Sequence, residues 1–117
     1  MIAQIATVED RKSQLKNTVD SLVNQVDHVY VWCNYKDLFT YDSPKVIVEG
    51  GIDIGDAGKF YFENEGYILT CDDDLIYPAD YVSTMTAACE YYGHPVSCHG
   101  RTFKQKIIKS YYNDPAY

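Results

Sequence analysis

Apolar residues recur along the chain with two different periods, and the switches between them mark the elements. Residues 2–8 form a short, almost unbroken apolar run of the kind a buried strand shows. Glu9 and Asp10 follow, and Asp10 is expected to cap a helix. Leu15, Val19, Leu22, Val23 and Val26 then recur on one helical face, which predicts a helix over residues 12–26. Residues 28–33, rich in Val, Tyr and Trp, read as a second strand. Residues 34–44 are polar and aromatic, and Pro44 argues for a loop. Residues 45–49 form a third, shorter strand.

The remainder follows the same alternation. Gly50 and Gly51 break the chain, and Asp56 is expected to cap a short helix carrying Phe60 and Phe62. Gly66 closes that segment, residues 67–71 are a fourth strand, and the strand runs straight into Asp72, Asp73 and Asp74. Pro78 suits the first turn of another helix, with Tyr81, Val82, Met85, Cys89 and Tyr92 along one side. Gly93 ends it, residues 96–99 look like a fifth strand, and beyond Gly100 no period is visible. Strands alternating with helices predict an α/β fold, a Rossmann-like and mostly parallel sheet with helices on both faces. In such sheets ligands lie outside the carboxyl ends of the strands, at the switch point. Residues 9–11, Asn34 and residues 72–74 all fall at expected carboxyl ends.

Composition narrows the partners. The 117 residues suit a single domain over 1–117, and 46% apolar residues promise a core. A net charge of −7 with no strong basic cluster argues against a nucleic-acid partner, because gripping a phosphate backbone takes clustered Lys and Arg. The weakly basic stretch from Arg101 to Lys109 reads first as a solvated segment. An acidic protein still binds an anionic diphosphate when a divalent cation bridges the two. No apolar run approaches the ~20 residues of a membrane span. The first residues lack the basic and apolar regions of a signal peptide, so a cytoplasmic location is expected. Cys33, Cys71, Cys89 and Cys98 include no C-x-x-C pair, and reduced thiols are expected.

The acidic triplet carries the chemistry. Adjacent carboxylates repel one another and gain from proximity only when a positive group sits among them. In extended chain Asp72 and Asp74 point the same way, so both can meet one Mg²⁺ or Mn²⁺ while Asp73 faces elsewhere. The bland alternative is a solvated turn before a helix, where Asp is favoured by the dipole. Other nucleotide and nucleophile motifs fail. A phosphate-cradling loop ending at Gly58 and Lys59 would need Gly where Asp53 stands and Ser or Thr where Phe60 stands. No G-x-G-x-x-G follows the first strand, and no G-x-S-x-G is present.

Three segments together, IATVEDR at 5–11, GDAGK at 55–59 and YILTCDDDLIYPADY at 67–81, resemble the family 2-like glycosyltransferases of the GT-A fold. The resemblance spans roughly residues 2–101 and is most specific around the triplet. It implies transfer of a sugar from a nucleoside diphosphate, UDP first among them, to an acceptor hydroxyl with the help of Mn²⁺ or Mg²⁺. It implicates Thr7, Glu9, Arg11, Asn34, Asp56, Lys59, Asp72 and Asp73 in nucleotide binding, and Asp74 with Asp72 in holding the metal. His99 and Arg101 would face the diphosphate or the sugar. Members are longer, and their second half binds the acceptor and supplies the base of inverting enzymes. No general base is identified in this sequence, and the chain is expected to be the donor-binding half without the acceptor-binding half, either truncated or completed by an oligomer or a partner chain. Two other readings stay open: a non-catalytic sugar-nucleotide-binding module, and a Mg²⁺-dependent aspartyl phosphotransferase or phosphatase using Glu9 or Asp10.

Overall fold

A computed structural model describes residues 1–98 of the chain. Four strands, β1 (Ile2–Thr7), β2 (His28–Cys33), β3 (Val46–Gly50) and β4 (Ile68–Cys71), form one parallel sheet in the order β3-β2-β1-β4. Two α-helices accompany them, α1 (Lys12–Leu22) and α2 (Tyr81–Tyr92), with 3₁₀ turns at Glu9–Arg11 and Gly55–Phe60. The mostly parallel, Rossmann-like α/β architecture expected from the alternation is what the chain adopts. Among the described residues no helix is long and apolar enough to cross a membrane.

The strand order dictates which face each connection covers. The chain steps outward from β1 to β2 to β3, then returns across two strands to place β4 on the other side of β1. Right-handed crossovers put connections of opposite travel on opposite faces. Thus α1, Tyr35 and Phe39 pack on one face, and the Gly55–Phe60 helix lies on the other. The α1 face is built in cross-strand rows. Leu69, Ala3, Val29 and Val46 make one row, and Cys71, Ile5, Val31 and Val48 the next. Leu15, Val19 and Leu22 of α1 are fully buried on these rows, joined by Val82 from the start of α2.

The opposite face is aromatic and partly polar. Trp32 lies against Gly58, where an added Cβ would come within 2.4 Å of the indole Cδ1. Tyr61 packs on the indole at a centroid distance of 4.2 Å, and Phe62 on Tyr30 at 4.8 Å. Gln4, buried in the central strand, donates from Nε2 to the Lys59 carbonyl at 2.5 Å and accepts from Asn64 Nδ2 at 2.9 Å. A buried amide needs such partners, so Gln4 fixes where the 59–64 segment sits.

Several local expectations are corrected. α1 ends at Leu22 rather than 26, because its last turn tightens, with Gln25 N–H donating to the Leu22 carbonyl. Asp10 caps nothing: it lies inside the 3₁₀ turn, and α1 has no side-chain cap. Asp56 is likewise not a cap, since it sits within the 3₁₀ helix while Asp53 Oδ1 accepts from Gly55 N–H at 3.0 Å. Pro78 precedes α2 by a turn, and its carbonyl accepts from Tyr81 N–H. Of the expected fifth strand, residues 96–98 carry no strand structure, while His99 lies outside the described residues.

By contacts the chain divides into two units, Met1–Thr84 and Met85–Tyr117. The first holds the sheet, α1 and the residues singled out from Thr7 to Asp74. In the described part of the second, Gly93 ends α2 with φ of +71° and its N–H on the Cys89 carbonyl, a left-handed position suited to glycine. The four cysteines are free thiols, with Cys33 and Cys71 buried.

Candidate functional site at the carboxyl end of the sheet

The travel of the chain reverses between β1 and β4, and the polar residues singled out from the sequence gather there. Continuing the β1–β4 register by two residues sets Asp73 beside Thr7, since Ile5 pairs with Cys71. Asp73 therefore shares the inward face of Leu69 and Cys71 and is buried. A buried carboxylate must be paired and hydrogen-bonded to persist as an ion. Both requirements are met: Thr7 Oγ1 donates to Asp73 Oδ2 at 2.9 Å, and Arg11 Nη1 donates to Asp73 Oδ1 at 2.8 Å. The hydrogen bond from Asp73, then its charge and that of Asp74, push the Arg11 guanidinium above its ordinary range.

The two flanking carboxylates go to different cations. Asp72 has the parity of Thr70 and Gln4, the face of the 3₁₀ helix, and its Oδ1 accepts from Lys59 Nζ at 2.8 Å. Lys59 is held because Gln4 anchors its carbonyl. Burial pulls the Lys59 ammonium down, but the hydrogen bond and charge of Asp72 outweigh it and the net shift is upward. Beyond Asp73 the chain continues in a bend, so strand alternation no longer places Asp74, whose Oδ2 lies 3.7 Å from Arg11 Nη1. Asp72 and Asp74 are 58% and 44% exposed at the side chain, against 6% for Asp73. Two members of the triplet thus face solvent, and the middle one is almost wholly buried.

A cavity of about 320 Å³ opens beside this network, lined by Ala6, Thr7, Val8, Arg11, Asn34, Gly55, Asp56 and Asp73. Five of the residues expected at a nucleotide site, Thr7, Arg11, Asn34, Asp56 and Asp73, therefore share one wall. Asn34 is largely committed to structure: its Oδ1 accepts from Ile54 N–H at 2.8 Å and from Trp32 Nε1 at 3.1 Å, and its Nδ2 donates to the Gly55 carbonyl. Asp56 projects into solvent, with Lys59 Nζ at 3.9 Å. Glu9 is exposed and is not among the lining residues. His99 and Arg101 lie outside the described residues.

The segment after the triplet is pinned by residues that the periodicity does not reveal. Thr18, Ser21 and Gln25 run along one side of α1 and its final turn. Thr18 Oγ1 donates to the Leu75 carbonyl at 2.6 Å, Ser21 Oγ accepts from Tyr77 N–H at 3.0 Å, and Gln25 bonds both the Pro78 carbonyl and Val82 N–H. Their 3-and-4 spacing beside the apolar stripe is the signal that marks them. Tyr77 is the other hidden contributor. Its hydroxyl accepts from Asp72 N–H at 2.9 Å and stays protonated, because burial raises its pKa. Burial also raises the Cys71 thiol to about 12, which removes it as a nucleophile.

Chemically, the rim offers hard oxygen donors beside two cations and a cavity, an arrangement suited to an anionic ligand with or without a bridging cation. Among the described residues no group of three or more His, Cys, Asp and Glu side chains is arranged to hold a metal ion. No protein-family model and no curated protein matches the chain. The fold is that of a generic Rossmann-like α/β module compatible with nucleotide or other ligand binding.

Proposed function

We propose that the rim binds a nucleoside diphosphate sugar, UDP-linked first among the candidates, and that the chain is the donor-binding part of a metal-dependent glycosyltransferase of the GT-A kind. The observation that carries this is the cavity at the switch point, which brings together Thr7, Arg11, Asn34, Asp56 and, from the triplet, Asp73. Base and ribose would lie along Thr7, Val8, Asn34 and Asp56, while Arg11 and Lys59 would face the diphosphate.

Carboxylate oxygens suit Mg²⁺ or Mn²⁺, and the exposed faces of Asp74 and Asp72 leave room for waters and phosphate oxygens as further ligands. The metal would supply Lewis-acid stabilisation of the departing diphosphate. Asp73, with both oxygens engaged, positions Arg11 and is the member of the triplet least suited to ligation.

Calorimetric titration of the folded chain with UDP and Mn²⁺ tests the reading. Saturable binding is expected, weakened by about tenfold or more in Asp74→Ala, the loss of one of few protein ligands. Absence of heat with wild type sinks it. The pairing of the carboxylates with Arg11 and Lys59 favours a second reading, a binding module that takes the diphosphate on these cations without turnover. Equal UDP affinity with Mn²⁺ and with a chelator, and no transfer from any donor, would select it.

A further inference from the structure

Lys59 occupies the place from which a bound cation would act on Asp72. Its Nζ lies 2.8 Å from Asp72 Oδ1 and 3.9 Å from Asp56 Oδ1. Arg11 stands across the triplet, 2.8 Å from Asp73 and 3.7 Å from Asp74. Asp56, Asp72, Asp73 and Asp74 outnumber these two cations, so the rim keeps negative charge that attracts a further cation. The pairs are unequal. Asp73 is buried with both oxygens used, whereas Asp72 is half-exposed, and pairs of that kind hold weakly against water and salt. Lys59 itself is only 17% exposed at the side chain, and its carbonyl is tied to Gln4. Its ammonium therefore stays at the rim when Asp72 turns to another partner.

We infer that Lys59 is a resident counter-ion, displaced from Asp72 by a divalent cation and then taken over by the diphosphate of the nucleotide. The inference rests on the nucleotide-sugar reading of the rim. A divalent cation on Asp72 and Asp74 costs Lys59 its partner and sets like charges close together. A diphosphate placed between them relieves that repulsion and gives the ammonium a new partner. One lysine thus opposes metal binding alone and favours metal and nucleotide together, which adds to their thermodynamic coupling. Arg11 behaves differently, since Asp73 retains it and only its longer contact to Asp74 is given up.

The test uses the full chain with Mn²⁺ and UDP as probes. Calorimetry compares wild type, Lys59→Met and, as a control away from the rim, Lys16→Met, each checked for an unchanged circular dichroism spectrum. Lys59→Met is expected to bind Mn²⁺ alone at least about threefold tighter, and Mn²⁺ with UDP about tenfold weaker, while Lys16→Met moves neither. A second readout is NMR of the reductively methylated wild type. The Lys59 methyl signal, assigned by its loss in Lys59→Met, is expected to shift saturably when Mg²⁺ is added alone. If Lys59→Met leaves metal-alone affinity unchanged, or weakens both complexes together, Lys59 is a plain phosphate anchor and the inference falls while the site reading stands. If neither probe binds folded wild type, the site reading fails and takes the inference with it.

Discussion

The two faces of the sheet are built by different physics. On the α1 face, aliphatic rows from the strands meet Leu15, Val19 and Leu22, all fully buried, with buried Thr18 bonded to the Leu75 carbonyl beside them. On the other face the buried Gln4, the Trp32 indole and a glycine with no room for a Cβ seat a 3₁₀ helix and the segment after it. Apolar packing is non-directional and supplies bulk stability. Hydrogen bonds and an aromatic close approach are directional, and they set the position of a segment that has little regular structure of its own. The candidate site draws on both: Arg11 enters from the α1 side through Asp73, and Lys59 from the other side through Asp72. The triplet lies where the two faces meet at the sheet's end.

The largest effect is expected in the aliphatic face. Leu15→Ala removes a fully buried side chain from the middle of α1 and is expected to cost about 2–5 kcal/mol, read as a fall in the urea midpoint of the whole sheet-bearing unit. Gly58→Ala attacks the other face. The new Cβ meets Trp32 at 2.4–2.9 Å, so the 3₁₀ helix must move, at a cost of about 1–3 kcal/mol. Hydrogen exchange should show lost protection of residues 55–64 with the α1 amides little changed. A uniform loss over both faces would mean that they are one cooperative structure and that the distinction is wrong.

The smallest effect is expected at the rim of the α1 face, where the Tyr41 hydroxyl donates to Asp20 Oδ1 at 2.5 Å. The bond needs an ionised carboxylate and a protonated phenol. Hydrogen bonds from Tyr41 and then Lys16 hold Asp20 below its usual pKa, and the bond to Asp20, with some burial, holds Tyr41 up at about 12. The stabilisation is present above the unfolded carboxylate value of about 4 and is lost as pH falls through the lower folded value. It is also present below about 10 and is lost as pH rises from there through about 12. The difference in Tm between wild type and Tyr41→Phe should therefore be small near pH 7 and shrink in both directions. A difference that grows at low pH would contradict this bond.

Much of the architecture was legible because period and parity are local properties. The alternation of strand and helix, the parallel sheet and the gathering of residues 9–11, Asn34 and residues 72–74 at carboxyl ends follow from patterns that span a few residues each. Helix ends were less legible. The last turn of α1 and the start of α2 depend on side chains such as Gln25 that bond across tens of residues. The capping expected of Asp10 and Asp56 failed because both lie inside 3₁₀ turns rather than ahead of a helix.

Within the triplet the division is clearest. The order of residues alone sets three carboxylates after a strand and makes neighbours in such a chain face opposite ways. Extending the inward parity of Leu69 and Cys71 even marks Asp73 as the inward member. Which partner each carboxylate meets is a matter of tertiary contacts: Asp72 with Lys59, Asp73 with Arg11 and Thr7, and Asp74 at the longer reach of Arg11. Those partners lie 13 to 66 residues away along the chain. The strand order brings them together, and no local pattern encodes it.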